Sequence, residues 1–153
     1  MADRERLFWG RIVENLWAPD RFLLRIESGI SDGVPDSYYT ITQVSGWMEL
    51  KCPIEPARET TALFSGNHQL SMAQRNWLLA HRQAGGVGFV AIETERHVML
   101  IGSRHVDSVN TSTIEQLRAL ADFRAVRPLK ARDWVQFMWT LTERVKINKD
   151  LLP

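Results

Sequence analysis

Cysteine is nearly missing from this chain. Cys52 is the only one among 153 residues, so no internal disulfide can form, and the composition fits a reducing, cytoplasmic compartment. The histidines at 68, 81, 97 and 105 do not stand at zinc-ligand spacing with Cys52, which removes a zinc finger or ribbon from consideration. No run of about 18 apolar residues occurs, so no membrane-spanning helix is expected. The opening MADRERLFWGRIVENLW is charged and helical in pattern, without the apolar segment of a signal peptide. Charge of one sign is lacking too. The net charge of +1 argues against a protein that coats nucleic acid by electrostatics alone, but leaves a local basic face open. Gly85, Gly86 and Gly88 follow a helical pattern and precede a strand, unlike a dinucleotide-binding turn.

What is present is an ordinary globular composition of a length that buries one core, and a single domain over 1–153 is expected. Leu7, Phe8, Ile12, Leu16 and Trp17 recur at helical spacing over 3–17, with Asp3 at the start and Pro19 beyond the end. Residues 21–27 read as a strand, SGISDGVPD as a loop, 37–42 as a second strand, 43–46 as a turn and 47–52 as a third strand stopped by Pro53. Such spacing predicts an antiparallel meander. Residues 53–70 are irregular. Ser71 caps a helix to about Ala84, which ends at Gly85-Gly86. Strands follow over 87–93 and 97–102. Thr111 or Ser112, with Glu115, opens a helix to about Phe123. A basic connector carries Arg124, Arg127, Lys130 and Arg132, and a last helix from near Ala131 bears the stripe Trp134, Phe137, Met138, Leu141 and Val145. Most tryptophans are expected in the core. Trp139, beside Val135 and off that stripe, makes a second apolar strip, which suits burial on two sides, either under the domain or against a second copy.

The stretch GVPDSYYTITQVSGWMELK carries the chemistry. Side chains alternate along a strand, so Met48, Leu50 and Cys52 share an apolar face while Trp47, Glu49 and Lys51 share the other. Asp36, held by Pro35 at the start of the preceding strand, is brought near Glu49 by a hairpin. Two converging carboxylates make a hard-oxygen site for Mg²⁺, with Mn²⁺ as a substitute, and the Leu50 backbone carbonyl is a further ligand candidate. Such an ion activates water and stabilises charge on a phosphate, and the Lys51 ammonium is placed to assist. The bland reading is a turn aspartate beside a surface Glu–Lys ion pair. Charge inside a strand bracketed by core residues is costly, and that weighs against it.

Pro35-Asp36 followed by Glu49-Leu50-Lys51 resembles the signature of the PD-(D/E)XK nuclease superfamily, and the element order resembles that family's core over about residues 3–93. The resemblance implies an α/β, restriction-endonuclease-like fold: a helix, a three-stranded antiparallel meander, a helix and two further strands (core about 3–102), with C-terminal helices over about 111–147. Ser28-Gly29 is similar to the Ser-Gly loop of archaeal-type Holliday junction resolvases. Gln74, on the helix before the Ala-Gly-Gly turn, is similar to a glutamine of resolvase-like and VRR-NUC-type nucleases. Members carry a further Glu on the first helix; Glu5 and Glu14 both qualify, with Glu5 preferred.

The implied activity is a metal-dependent DNA endonuclease acting on branched DNA, with Asp36, Glu49, Lys51, Gln74 and Glu5 as catalytic residues. Asp36, Glu49, Glu5 and the Leu50 carbonyl would hold metal. Ser28, Arg124, Arg127, Lys130 and Arg132 would contact substrate. A homodimer would suit paired cuts on two strands, and the small size suits a phage or mobile-element enzyme. A homing or restriction-type endonuclease, reading sequence through 53–70 or the C-terminal helices, is the alternative within the fold. A non-catalytic DNA-binding module is the alternative outside enzymes.

Overall fold

The computed structural model describes residues 2–26 and 32–143. Glu27, Ser28 and Val145 lie outside the described residues. One six-stranded sheet runs in sequence order from β1 (Phe22–Arg25) through β2 (Ser37–Ile41), β3 (Val44–Lys51), β4 (Gly88–Glu93) and β5 (His97–Gly102) to β6 (Phe123–Val126). All neighbours are antiparallel except β3 and β4, which are parallel and joined by a crossover. The helices are α1 (Ala2–Leu16), α2 (Met72–Gln83), the short α3 (Val106–Val109), α4 (Ile114–Leu120) and α5 (Ala131–Thr142). None is long and apolar enough to cross a membrane among the described residues. The expected meander, helix and two strands are all in place.

Helices cover both faces. On one, Phe8, Ile12 and Leu16 of α1 and Trp134, Phe137 and Leu141 of α5 pack against Met48, Leu50 and Cys52. On the other, Leu78 of α2, Val106 and Val109 of α3 and Leu117 of α4 pack against β4 and β5. Strands β4 and β5 are thus enclosed from both sides, which is why they read as unbroken apolar runs. Leu63, Phe64 and Leu70 are buried in this second layer, so the irregular segment 53–70 is packed structure and not a free loop. The buried spacing on α1 is i, i+4, i+8, and Leu7 and Trp17, expected on that stripe, are exposed.

Four expectations need correction. The hairpin turn is Thr42–Gln43, both at positive φ (51° and 66°), not 43–46. Gly46 suggested a turn because glycine punctuates chains, but it lies inside β3 opposite Tyr39. A Cβ there would sit 2.3 Å from the Tyr39 hydroxyl, and that hydroxyl donates to the Leu141 carbonyl at 2.8 Å. The basic connector contains a strand, β6, paired with β5. Helix α4 is capped by Thr113 with Gln116, because the Thr111 and Ser112 hydroxyls are turned back to the Ser108 carbonyl at the end of α3. Of the tryptophans, Trp134 is in the core, whereas Trp17 and Trp139 are 64% and 58% exposed. Val135 is exposed beside Trp139, so the second strip on α5 faces outward.

Two substitutions test this hairpin with opposite signs. Gly46→Ala is expected to cost about 2 kcal/mol of unfolding free energy by overpacking against Tyr39. Replacing Thr42-Gln43 by Asn-Gly is expected to gain about 1 kcal/mol, since a two-residue loop at positive φ disfavours a β-branched residue. Urea unfolding midpoints read both.

Candidate active site

The register fixes where the charged residues meet. Ser37 pairs with Met48, so Asp36, one residue earlier, falls beside Glu49. Lys51 closes β3, and β4 runs parallel to it. The site therefore lies at the carboxyl ends of the two parallel strands, the usual place for ligands in an α/β sheet. Asp36 Oδ1 accepts a hydrogen bond from the Leu50 backbone N–H at 3.0 Å. Glu49 and Lys51 are buried at 4% and 8% exposure, and Lys51 Nζ lies 3.8 Å from Glu49 Oε1. A surface ion pair is thereby ruled out for these two.

Helix α2 adds the fourth group. Ser71 accepts from the Gln74 backbone N–H at 3.1 Å, and Gln74 Oε1 accepts from the Ser71 backbone N–H at 2.9 Å. This capping box holds the amide at both ends of the first turn, and its Nε2 donates to Glu49 Oε1 at 2.8 Å. Gln74 thus ties the helix start to the buried carboxyl. The loop before Asp36 is seated on the same turn. Gly33 has φ +89°, and a Cβ there would lie 2.4 Å from the Ala73 carbonyl oxygen, so only glycine lets the backbones come this close.

The electrostatics follow from that burial. Loss of water pushes the Asp36 carboxyl up to about 7, with the Glu5 charge adding to the rise, while the Leu50 N–H, Arg25 and Lys51 oppose it. Burial pushes Glu49 up to about 8, helped by the neighbouring Asp36 and opposed by Lys51. The two titrate as a pair. Glu5 acts on both carboxyls, and Glu14, about 13 Å further along α1, is not among the strongest charges on either.

The donor set is oxygen only and excess negative, which fits a hard divalent cation. Besides the Gln74 amide, the Asp36 backbone N–H donates a hydrogen bond to the Glu49 carboxyl. No three His, Cys, Asp or Glu side chains stand as a closed ligand cage among the described residues. An ion that keeps several waters needs only one or two carboxylates. Cys52 is no candidate ligand or nucleophile: burial and the charges of Glu93 and Glu5 push its thiol up to about 12.

The expected substrate contacts separate. Arg127 is engaged in structure, its Nη1 donating to the Thr94 carbonyl at 2.9 Å and its Nε 3.8 Å from Glu93. Arg11 of α1 pairs with the same buried Glu93. Arg124 donates to the Arg118 carbonyl at 3.1 Å, and Lys130 and Arg132 are exposed around the start of α5. Ser28 lies outside the described residues. Arg25 went unremarked in the sequence, where it reads as one charge at a strand end. The structure sets its charge beside Asp36.

The carboxyl pair has a pH signature. Both groups hold protons more tightly folded than unfolded, so their stabilisation is complete below the ordinary carboxylate range and is lost as pH rises through about 7 to 8. In EDTA, the native Tm is expected to fall more steeply between about pH 5 and 8.5 than that of Asp36→Asn/Glu49→Gln. At the alkaline end the double variant should melt roughly 3–10 °C higher. Parallel profiles for the two proteins would refute the burial of a repelling pair.

Family models and curated proteins give no match to the chain. Among solved structures it is similar to Archaeoglobus fulgidus Hjc, a Holliday junction resolvase from an archaeal hyperthermophile. Identity is 17% and the TM-score 0.51, over 74% of this chain and 89% of that one. At that identity the likeness is one of fold. The chain has the resolvase-like, restriction-endonuclease-like α/β fold that its sequence led us to expect.

Proposed function

We propose that this chain is a metal-dependent DNA endonuclease that hydrolyses phosphodiester bonds in branched or otherwise structured DNA. The observation that carries the reading is the meeting of a buried and a half-buried carboxyl with a lysine and a fixed amide at the end of two parallel strands. A fold also found in a Holliday junction resolvase favours a junction over a linear recognition site. Mg²⁺, or Mn²⁺ in its place, would supply an activated water and neutralise charge on the phosphate.

Asp36, Glu49 and the Leu50 carbonyl are the residues to hold the ion, with Glu5 at the margin. Gln74 orients Glu49 by a hydrogen bond from a rigid helix start, so the carboxylate need not reorganise when substrate arrives. Lys51 holds an ammonium beside the carboxyls, where it offsets their charge and can stabilise a phosphate oxygen or orient the water. A homodimer meeting through the exposed Val135 and Trp139 strip of α5 would deliver paired cuts.

The full chain, with Mg²⁺ or Mn²⁺, is expected to cut a four-way junction and to leave a long linear duplex intact. Asp36→Ala and Lys51→Ala should each lower the rate at least about 100-fold, and Gln74→Ala about 10-fold. Discrete cutting of the linear duplex would replace this reading with a homing or restriction-type activity. Junction binding without cutting, with either metal, would leave a DNA-binding module.

A further inference from the structure

The second helical layer covers the sheet unevenly. Its buried cluster draws on β4 and β5 and takes no residue from β1 or β2. Over that uncovered part runs a row of rings. Phe22 of β1 packs edge-on to Tyr38 of β2 at 6.2 Å, Tyr38 to Trp47 of β3 at 5.0 Å, and Trp47 to Trp77 of α2 at 5.2 Å. His81 stacks on Trp77 at 4.9 Å. The outer end is open: Phe22 is 54% and its neighbour Leu24 44% exposed. The Tyr38 hydroxyl accepts from Thr40 at 3.2 Å, which gives the row a polar margin.

This row and the carboxyl site are one surface. Tyr38 follows Asp36 by two residues, Trp47 precedes Glu49 by two, and Trp77 follows Gln74 by three, so strand alternation and helix pitch put each ring on the same side as its site neighbour. Arg25 pairs with Ser37, which pairs with the core residue Met48, so alternation turns the Arg25 side chain to the opposite face, and it reaches the site only through its charge on Asp36.

We infer that the open row from Phe22 to Trp77, continuous with the carboxyl site, is a stacking platform for unpaired DNA bases. Edge-to-face packing holds the rings rigid, and a base stacks on such a ring whatever its identity, because every base has a π-face. The preferred substrate would then carry single-stranded nucleotides next to the bond to be cut. The position of the cut rests on the nuclease reading above; the binding does not.

The test uses fluorescence anisotropy in EDTA with the full chain and two labelled DNAs of equal length, a continuous duplex and the same duplex with a short internal gap of thymidines. The gapped DNA should bind at least about 10-fold tighter. Phe22→Leu and Tyr38→Leu keep apolar bulk but remove the ring, and each should cost about 5–100-fold on the gapped DNA and under about twofold on the duplex. Tyr38→Phe should bind like the native chain. Equal binding of the two DNAs by the native chain would overturn the inference, as would equal losses on both DNAs in the leucine variants with unchanged Tm. Conversion of a dimer to a monomer by Phe22→Leu, read by sedimentation, would also overturn it and make the row a contact between copies. Gap preference in EDTA without cutting in Mg²⁺ would sink the nuclease reading alone. Cutting without gap preference would sink the platform alone.

Discussion

Glu49 lies in a strand whose other face is hydrophobic core, and a carboxylate in that position is tolerated only with compensating groups around it. Met48 and Leu50 are locked against α1 and α5, so Glu49 cannot rotate out without unpacking them. Its surroundings have been built to match. Lys51 supplies a charge two residues along the same face, and Gln74 supplies a hydrogen bond across from α2. Gln74 can do so because the capping box leaves its amide no freedom, and α2 can approach because Gly33 lets the Asp36 loop lie on its first turn. Even so burial strips the pair of water beyond what these groups restore, and both carboxyls are driven upward. That lost solvation is what a cation or an ordered water cluster would make good.

The two faces of the sheet divide the work. The α1–α5 face is closed and supplies stability: Tyr39 fills it, bonds to α5 and requires Gly46 beneath it. At the far strands, Arg11 and Arg127 neutralise Glu93 where it would otherwise stand unpaired in the same layer. The other face is closed only over β4 and β5. The carboxyl site stands at the border between its covered and open parts.

Much of this was legible in the chain. Alternation in WMELKC determined that Met48, Leu50 and Cys52 turn one way and Glu49 and Lys51 the other, because strand geometry leaves no third choice. Ser71 marked the start of α2 through local backbone bonding, and Phe8, Ile12 and Leu16 marked the buried stripe of α1. These are signals carried within a few residues. The nearness of Asp36 to Glu49 followed once the hairpin was assumed.

Tertiary structure decided the rest, for reasons no short window contains. Gly46 looked like a turn because nothing nearby discloses that Tyr39 must pass over it, and the true turn, Thr42–Gln43, carries no turn signal. Strand β6 was hidden in a run of basic residues because its pairing partner β5 supplies what its own composition does not. Arg127 looked like a DNA contact until Glu93 and the Thr94 carbonyl claimed it. The depth at which Glu49 and Lys51 are buried and the alignment of rings from Phe22 to Trp77 depend on how helices α1 and α2 lie across the sheet. Sequence fixes which side chains a strand or helix presents on a given face; only packing decides what that face meets.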